Sequence, residues 1–205
     1  ARNSDAPVGV LGLGAGAMAA YARPGQHFVF YEIDPSMADI ASDPRYFTYL
    51  HQCRGSYEIK LGDGRLVLGH APDAHFGLLA LDAFSSDAIP THLLTREALQ
   101  LYLQKTRPDA ILVFNISNRY LDIEPLLANL ASEAGLVAYT RRDHDMTDQA
   151  RAAGRKPAEY VVMARRADAL GDLPDLPGWR PAQGDPRLSV WTDQFTNIFS
   201  LMRWH

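Results

Sequence analysis

The chain alternates between short, unbroken apolar runs and stretches whose apolar positions recur at helical spacing. "PVGVLGL" reads as a buried strand and "AGAMAAYA" as the helix after it. "HFVFYEID" is a second strand, and "PSMADIAS" starts a helix behind Pro35, a residue suited to the first helical turn. "SYEIKLGDGRLVL" reads as a short strand and turn, and "FGLLALDAF" as a further strand ending at Asp82. "TREALQLYLQKT" has helical spacing with Thr95 as its N-cap. "DAILVFNIS" is a strand, "LDIEPLLANLASEAG" a helix stopped by Gly135, and "LVAYTRR" and "EYVVMARR" are late strands. Such alternation predicts a parallel, doubly wound α/β sheet that binds ligands at the carboxyl ends of its strands.

Two segments break the rhythm. "DHDMTDQARAAGRKPA" is polar and reads as a loop, and "GDLPDLPGWRPAQGDP" reads as an extended linker to the terminal "LSVWTDQFTNIFSLMRWH". Trp191, Phe195 and Phe199, spaced by four, predict one face of a closing helix. The domain reading is a disordered or added start at 1–7, a nucleoside-binding domain at 8–168, and a linker and C-terminal segment at 169–205 packing on the same domain.

Composition narrows the partners. At 205 residues with 47% apolar content, the chain is expected to form one domain. A formal charge of −4 gives no basic footprint for nucleic acid. The one cysteine, Cys53, excludes an internal disulfide framework and a cysteine-rich zinc site, and an intracellular, cytoplasmic setting fits. No apolar run approaches the ~20 residues of a membrane span. "ARNSDAPVG" has neither an initiator Met nor a signal-peptide pattern, as expected of a segment cut from a longer chain.

The candidate chemistry begins in "GLGAGA". Gly12, Gly14 and Gly16 allow a tight turn after the first strand and let backbone N–H groups approach a ligand. Glu32 ends the second strand about 20 residues later, where a carboxylate can accept both hydroxyls of a ribose. The pattern also satisfies a variant of the NAD fingerprint. Asp63, in "LGDGR", sits in a tight turn where a side chain could meet an adenine edge. No His–Asp pairing for hydride transfer stands out, and there is no room for a separate substrate domain. "DHD" at 143–145 invites a metal, but two carboxylates around one His in a polar loop read more simply as solvated, and no metal is expected. Asn115 and Asn118, after the fifth strand, read as turn stabilisers rather than ligand contacts.

Residues 78–125, "LLALDAFSSDAIPTHLLTREALQLYLQKTRPDAILVFNISNRYLDIEP", resemble the spermidine synthase family of polyamine aminopropyltransferases. The resemblance covers roughly residues 8–165. It is closest to the spermidine-synthase-like domains that follow a membrane-spanning region in bacterial proteins. It implies a class I S-adenosylmethionine-dependent methyltransferase-like (Rossmann-like) fold, lacking the N-terminal β-rich segment of typical members. It implies decarboxylated S-adenosylmethionine, or S-adenosylmethionine, as co-substrate and a polyamine or other amine as acceptor. A homodimer and a fusion to a membrane region are left open, with no membrane contact by this segment itself.

Carried over position by position, Gly12, Gly14 and Gly16 match the nucleoside-binding turn, Glu32 the ribose-binding acid and Asp63 the adenine-binding aspartate. Asp82 matches the catalytic aspartate that opens the family's D-S-S-D-P motif. Asp87 matches its second, amine-holding aspartate at a spacing longer by two; apart from the family match, Asp145 and Asp193 are read as acids that could line the acceptor pocket. Ala15 departs from the family: it stands where an aspartate holds the donor's amino group. That loss is worth on the order of 1.5–3 kcal/mol and brings S-adenosylmethionine itself into consideration. The family's tyrosine-bearing loop after the sixth strand has no counterpart in "TRRDHDMTDQ". Aminopropyl transfer is the function expected. The alternatives are methyl transfer or intramolecular S-adenosylmethionine chemistry, and a non-catalytic nucleoside- or polyamine-sensing domain; an NAD-dependent dehydrogenase comes last.

Overall fold

The computed structural model describes residues 6–83, 90–144, 147, 149, 152, 154 and 157–203. Asp87 and Asp145 lie outside these residues. The chain divides into two compact units, Ala1–Phe84 with Gln100–Leu112, and Ser85–Leu99 with Val113–His205.

In the first unit, β1 (Val8–Leu11) is fully buried and pairs in parallel with β2 (His27–Glu32) and β4 (Phe76–Leu81). A strand hydrogen-bonded on both edges and covered on both faces requires the continuous apolar run that "VGVL" supplies. β3 (Ser56–Leu61) pairs in parallel with β2 and is mostly exposed. Leu11, Phe30, Tyr31, Phe76 and Leu79 are each at most 1% exposed. Burying each such side chain contributes roughly 1.5–3 kcal/mol.

Helix α1 (Pro35–Ser42) starts with Pro35, and the Asp34 carboxylate accepts the Ser36 N–H at 2.8 Å. Two predicted elements differ. The stretch after the glycine turn forms only a five-residue 3-10 helix, Ala17–Tyr21, before Pro24-Gly25 and the start of β2. "GRLVLG", read as strand and turn, is helix α2 (Gly64–Gly69), because Asp63 accepts the Leu66 N–H at 2.9 Å as its N-cap. A short apolar run does not by itself separate strand from helix, and here the cap decides.

In the second unit, α3 (Arg96–Lys105) begins there and continues into the first unit. Thr95 caps it as expected, its Oγ1 accepting the Ala98 N–H at 3.2 Å. β5 (Thr106–Asn115) leads to α4 (Glu124–Glu133). β6 (Val137–Asp143) and β7 (Ala158–Ala164) pair antiparallel, a departure from the all-parallel expectation. β8 (Trp179–Pro181), inside the segment read as a linker, adds an antiparallel edge to β6. Hydrogen-bonded neighbours run β3-β2-β1-β4-β5-β7-β6-β8.

The closing helix does not form. Trp191 is fully buried, but Phe195 and Phe199 are 51% and 71% exposed. Thr192 and Phe195 bond to each other through their backbones at 2.9 and 3.1 Å, which turns the chain where a helix would have continued.

Candidate active site

The glycine turn and three of the acidic candidates belong to the first unit. β1 ends at Leu11, the Gly12 N–H donates to the Tyr31 carbonyl at 2.8 Å, and the Gly16 N–H closes the turn onto the Leu13 carbonyl at 2.9 Å. The three glycines are required for different reasons. At Gly12 (φ +98°) a Cβ would stand 2.3 Å from the Asp82 carbonyl oxygen, so glycine here permits close approach of the β4 end. At Gly16 (φ +77°) it would meet the Leu50 side chain at 2.9 Å. Gly14 (φ +50°) is exposed, with nothing within 4 Å, and presents bare backbone.

Glu32 ties this turn down. Its carboxylate is 8% exposed and accepts the Leu13 N–H at 3.0 Å on one oxygen and the Asp34 N–H at 3.0 Å on the other. Among the described residues it has these two backbone donors and no cation. Each oxygen keeps a further lone pair, so the group can hold the turn and still accept two hydroxyls.

The Gly62 N–H donates to the Glu32 carbonyl at 2.8 Å, which brings the β3 end, and Asp63 after it, beside the β2 end. One Asp63 oxygen is committed to the α2 cap. Asp82 follows β4; its N–H bonds the Leu11 carbonyl at 2.8 Å and its side chain is exposed. Thus Gly12, Glu32, Asp63 and Asp82 gather at the carboxyl ends of adjacent strands, where open α/β sheets bind ligands. Sequence reasoning missed Ile33 and Leu66, each 70% exposed. Ile33 follows Glu32 directly and Leu66 lies three residues beyond Asp63; an aliphatic residue flanking each acid was the signal.

The second unit presents different chemistry. Asn115 accepts the Ser117 N–H and hydroxyl at 3.0 and 2.6 Å, and Asn118 accepts the Tyr120 and Leu121 N–H groups at 2.8 and 2.9 Å. Asp193 accepts the Thr95 hydroxyl at 2.7 Å, beside the α3 cap. Two buried glutamates went unnoticed in the sequence. Glu124 accepts from Arg180 at 2.7 and 2.8 Å, from Arg142 at 2.8 Å and from the Gln183 N–H at 3.2 Å. Burial pushes the Glu124 carboxyl up, but these hydrogen bonds more than offset it and hold the group below the ordinary carboxylate range. Glu159 accepts from Arg203 at 2.8 Å and meets His144 at 2.8 Å. A lone acid inside "IEPLL" and "EYVVMA" was the available signal. No group able to hold a metal occurs among the described residues. None of their helices is long and apolar enough to cross a membrane.

No protein-family model matches the chain. A polyamine aminopropyltransferase of Vibrio vulnificus is 33% identical over 111 residues, which are 52% of this chain and 36% of that protein. The match therefore spans little more than a third of this curated relative's length. A probable spermidine synthase from Corynebacterium glutamicum superposes with a TM-score of 0.58 at 18% identity, covering 88% of this chain and 67% of that one. Human methyltransferase-like protein 13, in complex with SAH, gives 0.54 at 20% identity, covering 80% and 73%. The two structures establish the fold, an α/β sheet of the class I methyltransferase type, and the sequence match to a polyamine aminopropyltransferase extends over about half of this chain.

Proposed function

We propose that this chain transfers an aminopropyl-type group from a sulfonium nucleoside, decarboxylated S-adenosylmethionine or its parent, to an amine. The observation that carries the reading is the Gly12–Asp82 approach: one unit holds the glycine turn, a buried acid with no cation among the described residues and an exposed aspartate side by side. In this reading Glu32 accepts the ribose hydroxyls, Asp63 meets the adenine edge, and Ile33 and Leu66 offer apolar contact to the purine.

The sulfonium activates its adjacent carbons, so the nucleophile is the difficulty. An ammonium of lysine-like pKa costs roughly 4–5 kcal/mol to deprotonate at neutral pH. Asp82 orients the amine and accepts or relays its proton, a contribution of about 10²–10⁴ in rate. Asp87 is assigned the far cationic end of a diamine, and Asp145 the pocket edge. The acceptor is a polyamine or another small amine.

Ala15 favours a second reading, methyl transfer from S-adenosylmethionine on the same nucleoside site. Product analysis separates the two: methylthioadenosine marks departure of the three-carbon chain, and S-adenosylhomocysteine marks methyl transfer. Asp82→Asn is expected to cut turnover by about 10²–10⁴ while donor affinity stays near wild type. Equal losses in turnover and donor affinity would remove Asp82 from the chemistry.

A further inference from the structure

β3 ends the sheet in the first unit. Among the described residues it pairs with β2 on one side and with no strand on the other. Exposed edges are commonly shortened, covered, bulged or lined with charge that keeps other chains away. β3 instead runs from Ser56 to Leu61 in unbroken register with β2, and its Tyr57 and Leu61 are 38% and 55% exposed.

The backbone phase decides what this edge offers. The Ser56 N–H donates to the Gln26 carbonyl at 2.9 Å, and the Gly62 N–H to the Glu32 carbonyl at 2.8 Å. Bonds to one neighbour recur at every second residue, so Ser56, Glu58, Lys60 and Gly62 direct their backbone groups to β2. Tyr57, Ile59 and Leu61 direct their N–H groups and carbonyls outward. Side chains alternate with the same period. Tyr57, Ile59 and Leu61 therefore share one face, and Glu58 and Lys60 the other, where the two charges meet at 3.2 Å.

The segment "SYEIKL" is self-complementary about Ile59. A second β3 laid antiparallel on a two-fold axis there sets Ile59 opposite Ile59, Tyr57 opposite Leu61 and Glu58 opposite Lys60. The outward groups of Tyr57, Ile59 and Leu61 then fall at the hydrogen-bonded positions. Glu58 and Lys60 fall at the non-hydrogen-bonded ones, where Cα atoms stand about 4.5 Å apart and side chains lie closest. Moving the axis by one residue either way sets Glu58 or Lys60 opposite its own copy. Like charges directly opposite are unfavourable, so charge selects the Ile59 register.

We propose that this chain associates with a second copy of itself through β3, the two edges joining antiparallel about Ile59 into one continuous sheet. Both chains use the same patch, so the contact closes at two and does not propagate. The transferase reading plays no part in it.

Sedimentation equilibrium of the full chain over a range of protein concentrations provides the test. Wild type is expected to fit a monomer–dimer equilibrium. Glu58→Lys sets like charges opposite each other in both cross-strand pairs, and Lys60→Glu does so with the sign reversed. Each should raise the dissociation constant by about tenfold or more, with the circular dichroism of the folded chain retained. Mixed in equal amounts, the two variants again face opposite charges and should associate more tightly than either alone. Amide hydrogen exchange at Tyr57, Ile59 and Leu61 should slow as wild-type concentration rises. The proposal is overturned by a wild type that stays monomeric, by single variants that dimerise as wild type does, or by a mixture no tighter than its components. Exchange at those three amides that ignores concentration overturns it equally.

Discussion

Two regions of this protein hold buried glutamates by opposite means. In the first unit, Glu32 is met by two neutral backbone N–H groups and by no cation among the described residues. In the second, Glu124 and Glu159 are surrounded by Arg142, Arg180 and Arg203. A carboxylate inside guanidinium forks has its lone pairs and charge satisfied and serves the fold. A carboxylate held only by backbone donors keeps acceptor capacity and uncompensated charge for a ligand. Low exposure is common to both, and in the proposed reading the identity of the donors separates a binding acid from a structural one.

Substitutions can break this contrast, beginning with the largest effect. Gly12→Ala sets a Cβ against the Asp82 carbonyl at a positive φ, and backbone cannot yield as a side chain can. A loss of about 3 kcal/mol or more is expected in denaturant unfolding, with the turn and Asp82 displaced together. Glu124→Gln should cost on the order of 2–3 kcal/mol, because it takes the carboxylate from the partly exposed Arg180 and one of the carboxylates from Arg142.

The pH dependence of that loss has a defined sign. Glu124 is held below its unfolded pKa, so its contribution is fully present above the ordinary carboxylate value near ~4.3 and fades as pH falls through the folded value. Wild type and Glu124→Gln should therefore differ most at neutral pH and converge in acid, and a constant gap would mean that the network's charge does not matter. Gly14→Ala also has a positive φ but faces open space, so it should cost only about 1–2 kcal/mol. Tyr31→Phe should be neutral within about 1 kcal/mol or slightly stabilising. The Tyr31 hydroxyl is buried without a partner among the described residues, and burial, with Glu58 adding, pushes its phenol well above the ordinary range.

The first unit was the more legible in the sequence, for a physical reason. Its candidate site rests on backbone geometry, which glycine spacing and strand ends report directly: β1, β2 and β4 lie where the apolar runs fell, with Gly12 after β1 and Asp82 after β4. The resemblance over 78–125 pointed to the same kind of protein as the curated sequence match, and the class I methyltransferase-like fold is the one observed. The second unit's network depends on side chains up to 81 positions apart, Asp122 and Arg203 at its extremes, and no local pattern encodes such pairings. The closing helix failed likewise. The four-residue spacing of Trp191, Phe195 and Phe199 was real, but Asp193 bonded to Thr95 and the backbone pairing of Thr192 with Phe195 outweigh it. Residues 66–68 misled because three apolar residues fit either period until Asp63 is seen to cap them.

The most direct test is a calorimetric titration with methylthioadenosine of the wild type, Glu32→Gln and Glu124→Gln. The account predicts one site in the wild type, affinity reduced by about tenfold or more in Glu32→Gln, and affinity within about twofold of wild type in Glu124→Gln despite its lower stability. No binding to the wild type, or a Glu32→Gln variant that binds as the wild type does, would contradict it.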